Sequence, residues 1–333
     1  MLADGYEAGE EGSEMMNLCP RNVEEMREMF YQGEYDAPHR VKFLERCNSV
    51  TITIDATHYG GSLAEMKITV NKVKDVEDKD RPAFVYFHGG AFVLGDAKRT
   101  QPEACFHAVN FGCTSFGVEY GVAPEVKAPD GGINCYAAVK YISQHAANFN
   151  IDPAKIAIGG ESAGGTHTTM CMYQLAKRNE GHLVKFAWDD IGPSSPHWFE
   201  RTEENSYSWL EFRLAAGQFG PLECLAKHDL DFEKEKAKNP DLTSAQFSRM
   251  VAEKFREDPE IFPVLMGDSL ARRCPPVFIT TREFDIYRRD CELMADLMRR
   301  NKRLLMEVRL LILLSFYSSC RCTSTPAPPT CPP

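Results

Sequence analysis

No apolar run in this chain of 333 residues approaches the ~18 consecutive residues that a bilayer-spanning helix requires. The longest candidate, LLILL at residues 310–314, is far too short. Positive charge is also scarce: 38 Lys and Arg stand against 48 Asp and Glu, a formal net charge of −10. That balance, with no basic patch interleaved with aromatics, argues against nucleic acid as a partner. The opening stretch MLADGYEAGEEGSEMM has neither a basic segment nor an apolar core, so a disordered lead-in is expected there rather than a signal or transit peptide. Twelve cysteines are present, but they are scattered and form no C-x-x-C pair. Free thiols in a reducing, cytoplasmic setting are therefore expected, in preference to a disulfide framework or a zinc site.

What is present is an ordinary globular composition, 43% hydrophobic and 26% charged. Two short amphipathic helices, broken at Asp36-Ala37-Pro38, are expected between Asn22 and Cys47. Strands are then expected at 50–54, 66–70, 83–87, 114–120, 155–159, 183–188, 275–281 and 304–308, and helices at 101–111, 131–148, 162–178 and 287–301. The AFVYF run at 83–87 and KIAIG at 155–159 are continuously apolar or small, as strands buried on both faces are. Such alternation implies an α/β fold with a mostly parallel central sheet flanked by helices.

One stretch interrupts the rhythm. Between about 193 and 263 lie Trp198, Tyr207, Trp209, Phe212 and Phe219, followed by the charged run HDLDFEKEKAKNPD. It is too long for a plain connection. A helical cap over a ligand site is one reading, and a solvated helical excursion with its own small core is the other. The chain thus divides into residues 1–48 (lead-in and N-terminal helices), 49–308 (the α/β domain with its insertion) and 309–333, a tail rich in Ser, Thr, Pro and Cys.

Gly160-Glu161-Ser162-Ala163-Gly164 matches G-x-S-x-G between a strand pattern and a helix pattern, the context in which a sharp turn lifts a serine hydroxyl to the sheet edge. Upstream, Phe87-His88-Gly89-Gly90-Ala91 follows the 83–87 strand. Acyl transfer builds negative charge on a carbonyl oxygen, and amide donors must be in place for it. The amides of Gly89 and Gly90, unobstructed by a Cβ, and of Ala163 in the elbow suit that role, and His88 is expected to brace the loop. Asp285 follows an apolar strand at its carboxyl end, where active-site groups of open α/β sheets gather. Glu283 and Asp290 are its neighbours, Asp290 being expected as a structural ion-pair residue inside a helix. For Asp285 itself a helix-capping role is the alternative.

HGGAFVLGD (88–96), EYGVAPE (119–125), GGESAGG (159–165) and TTREFDIYRRD (280–290) stand in the order of the hormone-sensitive-lipase-like branch of the α/β hydrolases, and residues 50–303 resemble that family. The resemblance implies a carboxylesterase or lipase-type hydrolase with a helical cap, acting on a small apolar ester without cofactor or metal. It implies Ser162 as nucleophile, Gly89, Gly90 and Ala163 as the oxyanion hole, and Asp285 as the triad acid. The family's Y-R-L-A-P-E stretch reads Tyr120-Gly121-Val122-Ala123-Pro124-Glu125 here, without its arginine.

The family's triad histidine comes after the acid. The nine histidines here, His39, His58, His88, His107, His145, His167, His182, His197 and His228, all precede Asp285. His167 lies five residues beyond the serine, roughly 500° around a helix, and is expected to face away. Without a base the serine hydroxyl is a poor nucleophile. The abrupt change of composition after about Leu305 is consistent with a shifted reading frame or retained intron, with a truncated non-catalytic ligand-binding protein on the same fold, or with a functional apolar tail.

Overall fold

The computed structural model describes residues 27–28, 42–76, 79–123, 125–196, 232–242, 246, 250, 257–283, 285 and 287–310. The aromatics expected in the cap (Trp198 to Phe219), His39, His197, His228, the tail beyond 310 and most of the N-terminal helical stretch lie outside these residues.

Eight strands form one sheet: β1 (Cys47–Ile54), β2 (Met66–Val73), β3 (Arg81–Phe87), β4 (Thr114–Val118), β5 (Ile151–Glu161), β6 (Phe186–Asp190), β7 (Val277–Arg282) and β8 (Leu304–Leu310), in the order β1-β2-β4-β3-β5-β6-β7-β8. β2 runs antiparallel to both β1 and β4, and every other pairing is parallel. The helices are α1 (Gln101–Phe111), α2 (Asp130–Gln144), α3 (Ala146–Phe149), α4 (Ala163–Lys177), α5 (Phe232–Lys238), α6 (Asp268–Ala271) and α7 (Arg288–Arg300).

Side-chain alternation in β3 divides the core between the two faces of the sheet. Ala83, Val85 and Phe87 join Tyr136, Val139, Met172 and Leu175 from α2 and α4 in the main core. Phe84 and Tyr86 point the other way, into a smaller cluster with Ala104 of α1 and Trp188 of β6. Helices on both faces are why β3 and β4 lack the apolar–polar alternation of a strand with one wet face. α4 is buried along almost its whole length, from Ala163 to Ala176, although it carries Thr166, His167, Thr168, Thr169 and Gln174.

Gly164 permits that depth: a Cβ there would lie 2.0 Å from the Phe87 carbonyl oxygen and 2.8 Å from that of His88. The first turn of α4 is thereby pressed against the end of β3, and this contact brings the serine and the His88-Gly89-Gly90 loop together. Strand boundaries differ from the sequence pattern chiefly at the ends. Residues 183–185 do not extend β6, because a 3-10 turn occupies Gly181–Leu183. The helix expected over 131–148 is broken at His145, where φ −111° leaves the helical region. Among the described residues no helix is long and apolar enough to cross a membrane.

Candidate active site

Ser162 sits between the last residue of β5 and the first of α4, with φ 54° and ψ −122°. A non-glycine residue rarely adopts this conformation, which costs ~1–3 kcal/mol and is found where function demands it. Two backbone hydrogen bonds enforce it: Ser162 N–H donates to Asp190 O at 2.8 Å, and Thr166 N–H donates to Ser162 O at 3.1 Å. The serine therefore stands at the amino end of a buried helix, where the first-turn amides, Ala163 among them, have no intrahelical acceptor and the helix dipole favours negative charge.

The loop after β3 faces this turn. His88 is buried, its Nδ1 2.7 Å from Gly89 O, its ring stacked on Tyr120 with centroids 4.4 Å apart, and its carbonyl accepts from the Tyr120 hydroxyl at 2.7 Å. Burial holds its pKa below the usual imidazole range, and its ring braces the loop. Gly89 and Gly90 follow, and Ala91 and Phe92 take left-handed φ values of 51° and 67°. Val93 and Leu94 amides both close back on Gly90 O, at 3.1 and 2.8 Å. The Gly89 amide donates to Glu161 Oε1 at 3.4 Å, whereas the Gly90 and Ala91 amides have no recorded acceptor among the described residues.

Asp285 lies in the loop between β7 and α7. Its Oδ1 accepts the Tyr287 amide at 2.8 Å, and Arg288 N–H donates to its carbonyl at 3.1 Å, so it is engaged at the start of α7 in the capping manner. Burial raises its pKa, against the Tyr287 amide and the Arg282 guanidinium. Asp290 is not the ion-pair residue that its place in a charged helix suggested. It is fully buried, and its Oδ1 accepts from the amide and hydroxyl of Ser195 at 2.8 and 2.7 Å. Burial pushes it up to about 7, so hydrogen bonds rather than a cation hold it. Arg282 instead pairs with Asp190, whose Oδ1 also accepts from Thr280 Oγ1 at 2.5 Å.

His167 packs its ring 4.2 Å from Tyr120 and 5.6 Å from Phe92, and burial lowers it to about 3. It is a neutral core imidazole, as its angular position on α4 implies. Among the described residues no group of three metal-ligating side chains is assembled.

Residues 84–309, well over half of the chain, match the family described as alpha/beta hydrolase fold. The chain belongs to the α/β-hydrolase fold family. Among curated relatives of this α/β hydrolase, carboxylesterase NlhH of Mycobacterium tuberculosis is 38% identical over 105 residues, 32% of this chain and 33% of the relative. An acetyl esterase of Salmonella paratyphi B is 26% identical over 200 residues, 60% of this chain and 54% of the relative. The chain thus spans about a third of the first relative and about half of the second. A solved hyperthermophilic esterase from Pyrobaculum calidifontis superposes with TM-score 0.65 at 22% identity, covering 89% of this chain and 86% of the other. EstE1, a thermostable carboxylesterase cloned from a metagenomic library, gives TM-score 0.61 at 22% identity and 86% coverage of each chain. At such identities the structural likeness is one of fold.

Three features of this α/β hydrolase site carry no local signal in the sequence. Ala91 has its amide beside Gly90 and adopts a backbone conformation usually left to glycine. Glu161, at the variable position of the elbow, sits half-buried behind the loop, and desolvation raises its pKa to about 7. Arg27 reaches back from the N-terminal segment, donating to Val93 O (2.9 Å), Ala123 O (2.8 Å) and both oxygens of Glu125 (2.7 and 2.8 Å). It clamps together the loops after β3 and β4. The arginine missing from the second loop has a physical reason: Gly121 has φ 83°, and a Cβ there would lie 2.4 Å from Val126 Cγ2.

Proposed function

We propose that this chain is a carboxylic ester hydrolase, esterase- or lipase-like, that forms an acyl-enzyme on Ser162. The observation that carries the reading is the serine's strained turn at the end of β5, facing a glycine loop whose backbone is fixed by His88, Tyr120 and Arg27. Ser162 Oγ attacks the ester carbonyl carbon and gives up its proton to water, and the carbonyl oxygen becomes an oxyanion. The C–O bond to the alcohol breaks as the alcohol takes up a proton, and a second water cleaves the acyl-enzyme, releasing the carboxylic acid and restoring Ser162. Gly89, Gly90 and Ala163 form the oxyanion hole, Gly90 donating from the loop after β3 and Ala163 from the first turn of α4. The Gly89 amide, which donates to Glu161 Oε1 at 3.4 Å, holds the loop in place. Asp285 is the acid of the triad. The substrate class is a small-molecule apolar ester, and neither cofactor nor metal takes part. The described cysteines are all free and buried, which supports a reducing, cytoplasmic setting.

No histidine follows Asp285 in the 333 residues, so the proton of Ser162 lacks its usual acceptor. The chain is therefore impaired, with turnover several powers of ten below that of a complete triad, because binding and oxyanion stabilisation alone retain only part of the rate. The alternative is a non-catalytic small-molecule-binding protein on the same fold, favoured by the engagement of Asp285 with the start of α7. Hydrolysis of p-nitrophenyl acetate by wild type and Ser162→Ala separates the two. Slow turnover that disappears in the variant supports the hydrolase. No turnover, together with a rise in melting temperature on adding an apolar ester, favours the binder.

A further inference from the structure

Glu161, the last residue of β5, turns its carboxyl group toward the loop that follows β3. Tyr86 Oη lies 2.7 Å from Oε1 and 2.9 Å from Oε2, and the Gly89 amide donates to Oε1 at 3.4 Å. A Cβ on Gly89 would lie 3.4 Å from the same carboxyl oxygen and 3.5 Å from Ser162 Cβ. One half-buried carboxyl group and the nucleophile therefore flank Gly89, the residue that leads into Gly90.

We propose that Glu161 is a positioning residue of the ester-hydrolysing site, working in its neutral form: it holds the Gly89 peptide in place, and loss of its proton sets a negative charge beside the oxyanion. The inference rests on the hydrolase reading for its catalytic consequence, and on geometry alone for the link to Gly89.

The physical argument has two parts. A neutral carboxyl group accepts the Gly89 amide and still exchanges a hydrogen bond with the Tyr86 hydroxyl, which fixes the peptide plane without adding charge. A carboxylate strengthens the bond to Gly89 but repels an oxyanion forming nearby, and a half-buried setting screens that repulsion less than bulk water does. The surroundings favour the neutral state. Burial is the first cause that raises Glu161 to about 7, and Glu103 of α1 and Asp190 of β6 add like charge, while the Tyr86 hydroxyl and the Gly89 amide act in the opposite sense. Since the folded value stands above the usual carboxylate range, the group is neutral below about pH 7 and charged above it. The hydrolytic step is thus expected to lose rate above neutrality for a reason unrelated to the base.

His88-Gly89 is the only His-Gly pair in the sequence, so labelling histidine with 13C at the carbonyl and glycine with 15N isolates the Gly89 amide in a single NMR cross-peak. In wild type this peak is expected to titrate with a midpoint near 7. In Glu161→Gln the titration is expected to disappear, and in Tyr86→Phe the midpoint is expected to rise because a donor to the carboxylate is lost. A Gly89 amide that does not titrate, or titrates identically in Glu161→Gln, overturns the proposal whatever the activity of the chain. The second arm measures the rate at which a fluorophosphonate labels Ser162. The ratio of Glu161→Gln to wild type is expected to rise several-fold between about pH 6 and pH 8.5, and a flat ratio overturns the charge argument. Failure of wild type to label at any pH refutes the hydrolase reading, and the NMR arm then decides the Glu161–Gly89 link by itself.

Discussion

Replacing Ser162 by glycine is expected to make the protein more stable, although it removes the nucleophile. At φ 54° and ψ −122° the serine's Cβ clashes with its own backbone, and such conformations cost ~1–3 kcal/mol. Glycine has no Cβ and relieves the clash, against ~0.5–1 kcal/mol for the greater freedom of a glycine in the unfolded chain. Both backbone hydrogen bonds of residue 162, to Asp190 O and from Thr166 N–H, are available to glycine and alanine alike. Ser162→Ala keeps the Cβ and therefore the strain, which makes it the proper reference. The net expectation is that Ser162→Gly exceeds Ser162→Ala by about 1 kcal/mol, or ~2–4 °C in melting temperature on the scaling for domains of roughly 150–250 residues. Thermal scans and urea titrations of the two variants measure the difference. A glycine variant no more stable than the alanine variant would refute the idea that strain is stored at this turn.

The close packing of α4 against β3 makes a second prediction: Gly164→Ala drives a methyl group into the Phe87 and His88 carbonyls and is expected to cost ~3 kcal/mol or more, read as a lowered urea midpoint or insoluble expression. Asp290 makes a third, on pH. Its folded value, about 7, stands above the ordinary aspartate range, so the folded state keeps a proton that the unfolded chain has released, and stability is expected to fall as pH rises from about 4 to about 7. Glu161 acts in the same sense over the same window. Asp290→Asn is expected to flatten part of that decline in melting temperature, and an unchanged slope would count against a neutral Asp290.

Much of this architecture could be read from the residues because its signals were local. The apolar runs at 83–87 and 155–159 lie within β3 and β5, and the 101–111 helix was placed to the residue. A strand, G-x-S-x-G and a helix in succession located the elbow, because only a small residue on either side of the serine lets α4 approach β3. What the sequence could not convey was chemistry assembled from distant parts. Arg27 meets Glu125 across 98 positions, and no periodicity links a segment near the amino terminus to a loop after the fourth strand. Glu161 looked like a variable letter in a motif, and its function depends on Tyr86 and Gly89, which belong to another strand and its loop. Asp290 was read through its charged neighbours on α7, whereas its burial is decided by Ser195, from the segment after β6.

The proposal that Ser162 is a nucleophile working without a histidine after Asp285 in these 333 residues is tested most directly by intact-mass measurement of fluorophosphonate labelling with and without added imidazole. The account expects a single adduct on Ser162, absent in Ser162→Ala, forming slowly alone and faster as imidazole supplies the base. No adduct on Ser162 under either condition would contradict it.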